Sequence, residues 1–363
     1  MNTTDNGGME NVDSHNTALD DIEQSSTKHN DMSLGMKIFG ILEMLGGALS
    51  VLVVILGLVI VFFVSKRLSN SQQTLAGIWT FNAIMYSVIA VVLLWMGIAT
   101  FKCRRWARAL TEANAWFALC MGCAMILFLP FSTNEMLNTL KENPNMLFGN
   151  ITMITVLSTI FSVFRDIVVP LIFLLFFRSP NTKRTCEIKD PKERWTDRVP
   201  MKVLVLIIAI FYSILGASGS IFIGGIIPVF GQFLTGNTSI VLLVLTIAFL
   251  ALAIRYVYNM KMSGWWMTMI IILVYYPSAF VTFLKSDMRD VFEAIQFTKT
   301  MLDYIDLKEV PSMASVAWSV PLVMILSIAY MIWIRRCFTP EYRESFLLEK
   351  TVQEQDDGEQ TES

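Results

Sequence analysis

The stretch Arg178-Ser-Pro-Asn-Thr-Lys-Arg-Thr-Cys-Glu-Ile-Lys-Asp-Pro-Lys-Glu-Arg-Trp-Thr-Asp-Arg-Val-Pro200 breaks an otherwise apolar chain at its middle. It is polar, basic and bounded by prolines. Long apolar runs lie on both sides, and each side divides into four segments long enough to cross a bilayer. A run of about 18 or more apolar residues is a spanning candidate. The expected fold is therefore all-α: a polytopic integral membrane protein of about eight transmembrane helices, arranged as two parallel four-helix repeats.

Composition agrees. Hydrophobic residues make up 54% of the chain and charged residues 16%, with a mean hydropathy of +0.56. Soluble domains carry about 25% charged residues. A net charge of −2 gives no electrostatic footprint for nucleic acid. The partner that the composition names is the lipid bilayer.

Working outward from the connector, the spans of the first half fall near Met36–Val64, Gly77–Phe101, Ala109–Phe131 and Ile151–Phe177. Those of the second half fall near Met201–Pro228, Ser239–Tyr258, Trp265–Leu284 and Ala314–Ile334. The domain plan is a disordered acidic tail (1–35), a first repeat (36–177), the connector (178–200), a second repeat (201–336) and a second acidic tail (337–363). Asp31 and Ser33 stand where a helix N-cap is wanted. Residues 287–310 carry Val291, Ile295, Leu302 and Ile305 at helical spacing, as in an amphipathic segment lying on the outer surface. The N-terminus lacks the basic and short apolar regions of a signal peptide, so the first span is expected to stay as an anchor.

Orientation follows from the basic residues. With the N-terminus inside, 20 of the 28 lysines and arginines fall on inner segments and 7 on outer loops. Arg165 is left within a span. Both termini are then cytoplasmic, in a plasma membrane or, for a prokaryote, the inner membrane. Lys66-Arg67 sits on the disfavoured side.

The two halves repeat features in order. Leu45-Gly-Gly-Ala-Leu-Ser50 parallels Leu215-Gly-Ala-Ser-Gly-Ser220. Val169-Pro-Leu171 parallels Val320-Pro-Leu322. Ser179-Pro180 and Thr339-Pro340 follow the last span of each half. Four spans per half keep one orientation, so the symmetry axis would lie along the membrane normal. The turn Arg104-Arg-Trp-Ala-Arg108 between two spans resembles that of small bacterial multi-span membrane proteins of unknown function. The resemblance covers this turn and the four-span layout, and it implies no activity.

Candidate chemistry is sparse. Arg165-Asp166 sits mid-span, where ionisable groups are costly and usually face a bundle interior. Adjacent helix positions do not face each other, so the two are expected to need partly separate partners or a shared wet cavity. Glu43 is the third pathway candidate, although a position near the headgroups would let it hydrate. Cys120-Met-Gly-Cys123 has the redox spacing, yet on a helix it places two small residues on one packing face. Gly216, Ser220 and Gly224 recur every fourth residue, as in close helix contacts. Pro170, Pro277 and Pro321 are expected to kink their spans.

The histidines, His15 and His29, lie in the N-terminal tail. No metal site or cofactor is expected, and no motif names a reaction. The functional classes left are a transporter or permease-like protein for a small solute or ion, and a non-enzymatic membrane scaffold or assembly factor. The scaffold would hold a membrane or cytoplasmic protein through 178–200. A membrane thiol-redox protein comes third.

Overall fold

The computed structural model describes residues 30–67, 73–142, 157, 159–222, 224–287, 290–291, 294, 317–346 and 348. The fold is all-α and polytopic. Among the described residues, eight helices are long and apolar enough to cross a membrane. In chain order they are α1 (Ser33–Arg67), α2 (Gln73–Phe101), α3 (Arg105–Glu142), a fourth span ending in a π turn (Phe164–Val168) and α4 (Val169–Phe177), then α6 (Met201–Phe222), α7 (Asn237–Tyr258), α8 (Met262–Lys285) and α9 (Ser319–Ile334). At 1.5 Å per residue α1 is about 50 Å long, well beyond a hydrocarbon core of about 30 Å, so it overhangs the bilayer.

The molecule is apolar on its outside. Leu45, Leu49, Leu52 and Leu56 of α1 are exposed, as lipid-facing positions are. The most extensive helix contact joins α1 to α2, which Gly40 and Gly97 permit. A Cβ on Gly40 would stand 2.8 Å from the Gly97 carbonyl oxygen, and one on Gly97 would stand 2.8 Å from the Gly40 oxygen. The main buried core lies in the second half and draws α3 into it. Ala109 and Ala113 of α3 pack with Val203, Leu206 and Ile210 of α6 and with Met331 of α9. Tyrosine hydroxyls tie this core together: Tyr212 donates to Asn114 Oδ1 (3.0 Å) and Tyr330 to the Lys202 carbonyl (2.6 Å).

The connector is not a plain loop. It holds helix α5 (Pro180–Lys189) and a 3-10 turn at Trp195–Arg198. Pro180 starts α5, where a missing N–H costs nothing. Thr182, Thr185 and Cys186 form its buried face. Helix α1 begins at Ser33, inside the expected 1–35 tail, and Asp31 caps it, its Oδ1 accepting from Ser33 N at 2.9 Å. Met32 N donates to Thr185 Oγ1 (3.1 Å), docking the start of α1 on α5.

The fifth span ends at Phe222 rather than Pro228. A two-stranded hairpin follows, β1 (Ile227–Val229) against β2 (Gln232–Leu234). Phe230 and Gly231 turn it at φ values of 38° and 103°, the positive pair that a tight two-residue hairpin needs. The hairpin docks on α8. Ser278 Oγ donates to the Pro228 carbonyl (2.9 Å) and accepts from Phe230 N (3.0 Å), while Thr282 Oγ1 accepts from Gly231 N (2.9 Å). The expected surface segment at 287–310 falls almost wholly outside the described residues.

Candidate functional site

The basic turns gather on one face of the molecule. Asp190, 2% exposed, is its hub. Arg194 reaches it through Nη2 (2.7 Å) and Nε (3.1 Å), Arg104 through Nη1 (3.3 Å), and the Arg105 amide donates to Oδ2 (3.3 Å). Burial alone would push the Asp190 carboxyl up. The hydrogen bonds from Arg194 and Arg105 and the arginine charges outweigh it and hold the carboxyl below the usual carboxylate range. Arg105 also pairs with Asp197 and Glu187. The connector therefore clamps the α2–α3 turn to the start of the second half, and several of its charges are paired within the chain. Cys103 and Cys186 are buried beneath this clamp with Met36 and Phe177. Burial pushes the Cys186 thiol up to about 12.

Just inside that face, three spans meet around Glu43. Its carboxylate is buried, with 6% of the residue exposed. Thr111 of α3 donates from Oγ1 to Glu43 Oε1 at 2.9 Å. The other oxygen, Oε2, is buried without a hydrogen-bond partner. Thr100 of α2, fully buried, faces the same carboxylate. Its Oγ1, like Glu43 Oε2, makes no well-formed hydrogen bond, although it stands close enough to act on the carboxyl as a hydrogen-bonding group. Buried polar groups are nearly always satisfied in native proteins.

Directly after Thr111 in α3, Glu112 is held by Arg108, whose Nη1 donates to Oε2 at 3.0 Å and also to the Phe177 carbonyl at 3.3 Å. The sequence reading missed Glu112. It follows the basic turn closely and reads as interfacial, although its residue is 7% exposed. The signal was the spacing, since Arg108 and Glu112 stand at i and i+4 on one helix face.

Arg165 and Asp166 do not seek separate partners. They bond each other twice, Nε to Oδ1 at 2.7 Å and Nη2 to Oδ2 at 2.8 Å. The reason is the π turn they occupy, which alters the fan of neighbouring side chains from that of an α-helix. Nor does the pair sit inside the bundle, for its side chains are 61% and 27% exposed. Pro170 accounts for the distortion. It has no N–H for the Asp166 carbonyl four residues back, and its ring crowds that oxygen. The Asp166 carbonyl turns instead onto Gly122 of α3, where a Cβ would lie 2.1 Å from it.

That contact explains the middle of Cys120-Met-Gly-Cys123. Gly122 is the packing residue, and Cys120 and Cys123 flank it as exposed free thiols. The Gly216, Ser220 and Gly224 stripe makes no close helix contact among the described residues. A Cβ on Gly216 or Gly224 would meet nothing within 4 Å, and Ser220 Oγ turns back to the Gly216 carbonyl at 3.4 Å. The close approaches fall at Gly40, Gly97 and Gly122 instead.

Comparison of the chain with protein-family models, curated proteins and solved structures finds no match.

Proposed function

We propose that this multi-pass membrane protein moves a small solute or ion across the bilayer, along a path that includes Glu43. One observation carries the proposal: a carboxylate buried where three spans meet, with one oxygen left open beside an open threonine hydroxyl. Ionisable groups within membrane spans are expensive and are kept mainly where they bind or conduct. Arg165 and Asp166 neutralise each other at the π turn outside the bundle and are left out of the path. The protein sits in a plasma membrane with both termini cytoplasmic, which puts the Asp190 clamp and the basic turns on the inner side. The two halves are copies of one four-span unit. In support, the first two spans of each half pack together and so do the last two.

The scaffold reading would hold a partner through 178–200. Lys183, Lys189, Arg194 and Asp197 of this region instead make their ion pairs within the chain, which favours a strut. The test is flux. Purified protein in liposomes should move at least one ion or solute from a broad panel, and Glu43→Gln should abolish that flux at unchanged abundance. Flux that survives Glu43→Gln would refute a path through this residue.

A further inference from the structure

We infer that the connector-side ends of α6 and α9 hold the headgroup of an anionic phospholipid, gripped by Lys202, Arg335 and Arg336 and flanked by Trp333 and Trp266. The site is separate from Glu43 and stands whether or not the protein transports.

Charge balance singles out this patch. At the span ends of the first half the basic side chains have carboxylates to meet. Arg104 meets Asp190, Arg105 meets Glu187 and Asp197, and Arg108 meets Glu112. The connector has no carboxylate left over, because Glu187, Asp190, Glu193 and Asp197 are all in ion pairs already. Lys202, Arg335 and Arg336 are exposed, and among the described residues no ion pair includes them. Glu341 and Glu344 follow closely in sequence but stay exposed and form no ion pair with them. Three positive charges therefore gather without a counter-charge from the described chain.

They gather because α6 starts where α9 ends. Tyr330 of α9 donates to the Lys202 carbonyl at 2.6 Å, and the Lys202 ammonium lies 4.2 Å from the centre of the Trp333 ring. Arg335 opens the 3-10 turn that follows α9. Its guanidinium lies 5.7 Å from the centre of the Trp265 ring, and that indole is fixed by its own 2.7 Å bond to the Met331 carbonyl. Ring faces attract cations and hold them in place, yet they leave the N–H groups free for an anion. Arg335 then offers a planar fork that suits two phosphate oxygens.

The surroundings say what the phosphate is attached to. Trp333 and Trp266 are exposed, and indoles at span ends sit at headgroup level. An apolar strip runs from the patch along α9. Leu326 stands seven residues before Trp333 and Ile325 seven before Ile332, so each pair shares a helix face, and all four are exposed. A free phosphate has no use for that strip. A phospholipid uses both parts, its phosphate on the basic groups and its acyl chains on the strip. A zwitterionic headgroup would bring a further cation into a patch already positive, so the headgroup must carry net negative charge.

The experiment uses the full chain in detergent, melted with phosphatidylglycerol, with phosphatidylcholine of the same acyl chains, and with inorganic phosphate. The expected result is a saturable rise in Tm that phosphatidylglycerol alone gives. Lys202→Gln and Arg335→Gln should each weaken the apparent affinity roughly fivefold, the scale of one basic residue at an anionic surface. Lys285→Gln, at the far end of α8, should not. A second measurement covers a variant that folds poorly. Brominated phosphatidylglycerol, added in trace to phosphatidylcholine vesicles holding the protein, should quench tryptophan fluorescence more than brominated phosphatidylcholine does. The double variant Lys202→Gln, Arg335→Gln should lose that difference. Equal responses to the two lipids would overturn the inference, as would unchanged phosphatidylglycerol affinity in the double variant. A rise given by inorganic phosphate alone would mean a free-anion site, which also overturns it. A response that emerges only after the acidic residues 349–363 are removed would mean that the chain's own tail fills the patch, and the lipid assignment would fall.

Discussion

Replacing Gly122 with alanine tests the central packing contact of the first half. The added Cβ would stand 2.1 Å from the Asp166 carbonyl oxygen and 2.8 Å from its carbon. Real Cβ atoms essentially never approach closer than 3.0 Å, so the helices must part by about 0.9 Å. The obstacle is backbone, held in place by the π turn and by Pro170, and it cannot swing aside as a side chain would. Overpacking a close contact costs about 1–3 kcal/mol, and a fixed carbonyl puts this one at the upper end, about 3 kcal/mol. That corresponds to a fall in Tm of roughly 6 °C, taking about 2 °C per kcal/mol for a large chain. The assay is thermal unfolding of purified protein, read by tryptophan fluorescence. Gly216→Ala is the internal control. Nothing lies within 4 Å of its new methyl group, so it should be neutral or stabilising by up to about 1 kcal/mol from helix propensity. A Gly122→Ala protein that melts with wild type, or a Gly216→Ala protein that falls instead, would refute the placement of α3 against the π turn.

Other perturbations probe the clamp, the ion pair and the hairpin. Asp190→Asn should cost about 1.5 kcal/mol, at the low end for charged hydrogen bonds because Arg104 and Arg194 can rehydrate. Asp190 is held below its usual range in the folded protein, so its contribution is complete above the unfolded value of about 3.9 and drains as pH falls through the lower folded value. Wild type should therefore lose stability faster than Asp190→Asn in acid denaturation below about pH 4, and parallel curves would count against the clamp. Arg165→Met and Asp166→Asn should each lower Tm more than the double change does, with a coupling energy of about 0.5–3 kcal/mol. Additive effects would mean the two side chains do not depend on each other. Ser278→Ala frees two backbone groups of the hairpin, Pro228 O and Phe230 N. It should cost about 2 kcal/mol and speed hydrogen exchange across 227–234, and unchanged exchange would argue against docking on α8.

The spans were legible because a bilayer asks for one thing that a sequence states openly, about 20 apolar residues in a row. Span boundaries were less so. Pro228 looked like the end of a helix because Ile226 and Ile227 continue the apolar run. Phe230-Gly231 was the turn signal, readable only once a hairpin is in view. The π turn was announced by Pro170, but its effect on Arg165 and Asp166 depends on which carbonyl loses its donor and on what α3 offers it. Helix α5 was hidden because its buried face is Thr182, Thr185 and Cys186, small residues that register weakly on a hydropathy scale. Glu43 was visible as a charge in a span. Its significance lies in Thr100 and Thr111, which belong to two other helices and are unremarkable in sequence.

The contact between Met32 and Thr185 joins residues 153 positions apart. At about 5–20 residues per second, a ribosome needs roughly 8–30 s to make the chain between them. Throughout that interval the leading helix is already in the membrane while its resting place has yet to be synthesised. It must be kept by the helices already made, chiefly by α2 through the Gly40–Gly97 crossing. That crossing would then be the contact on which early assembly depends. A bulkier residue there should appear first as chains lost during biogenesis, before any defect is seen in the finished protein.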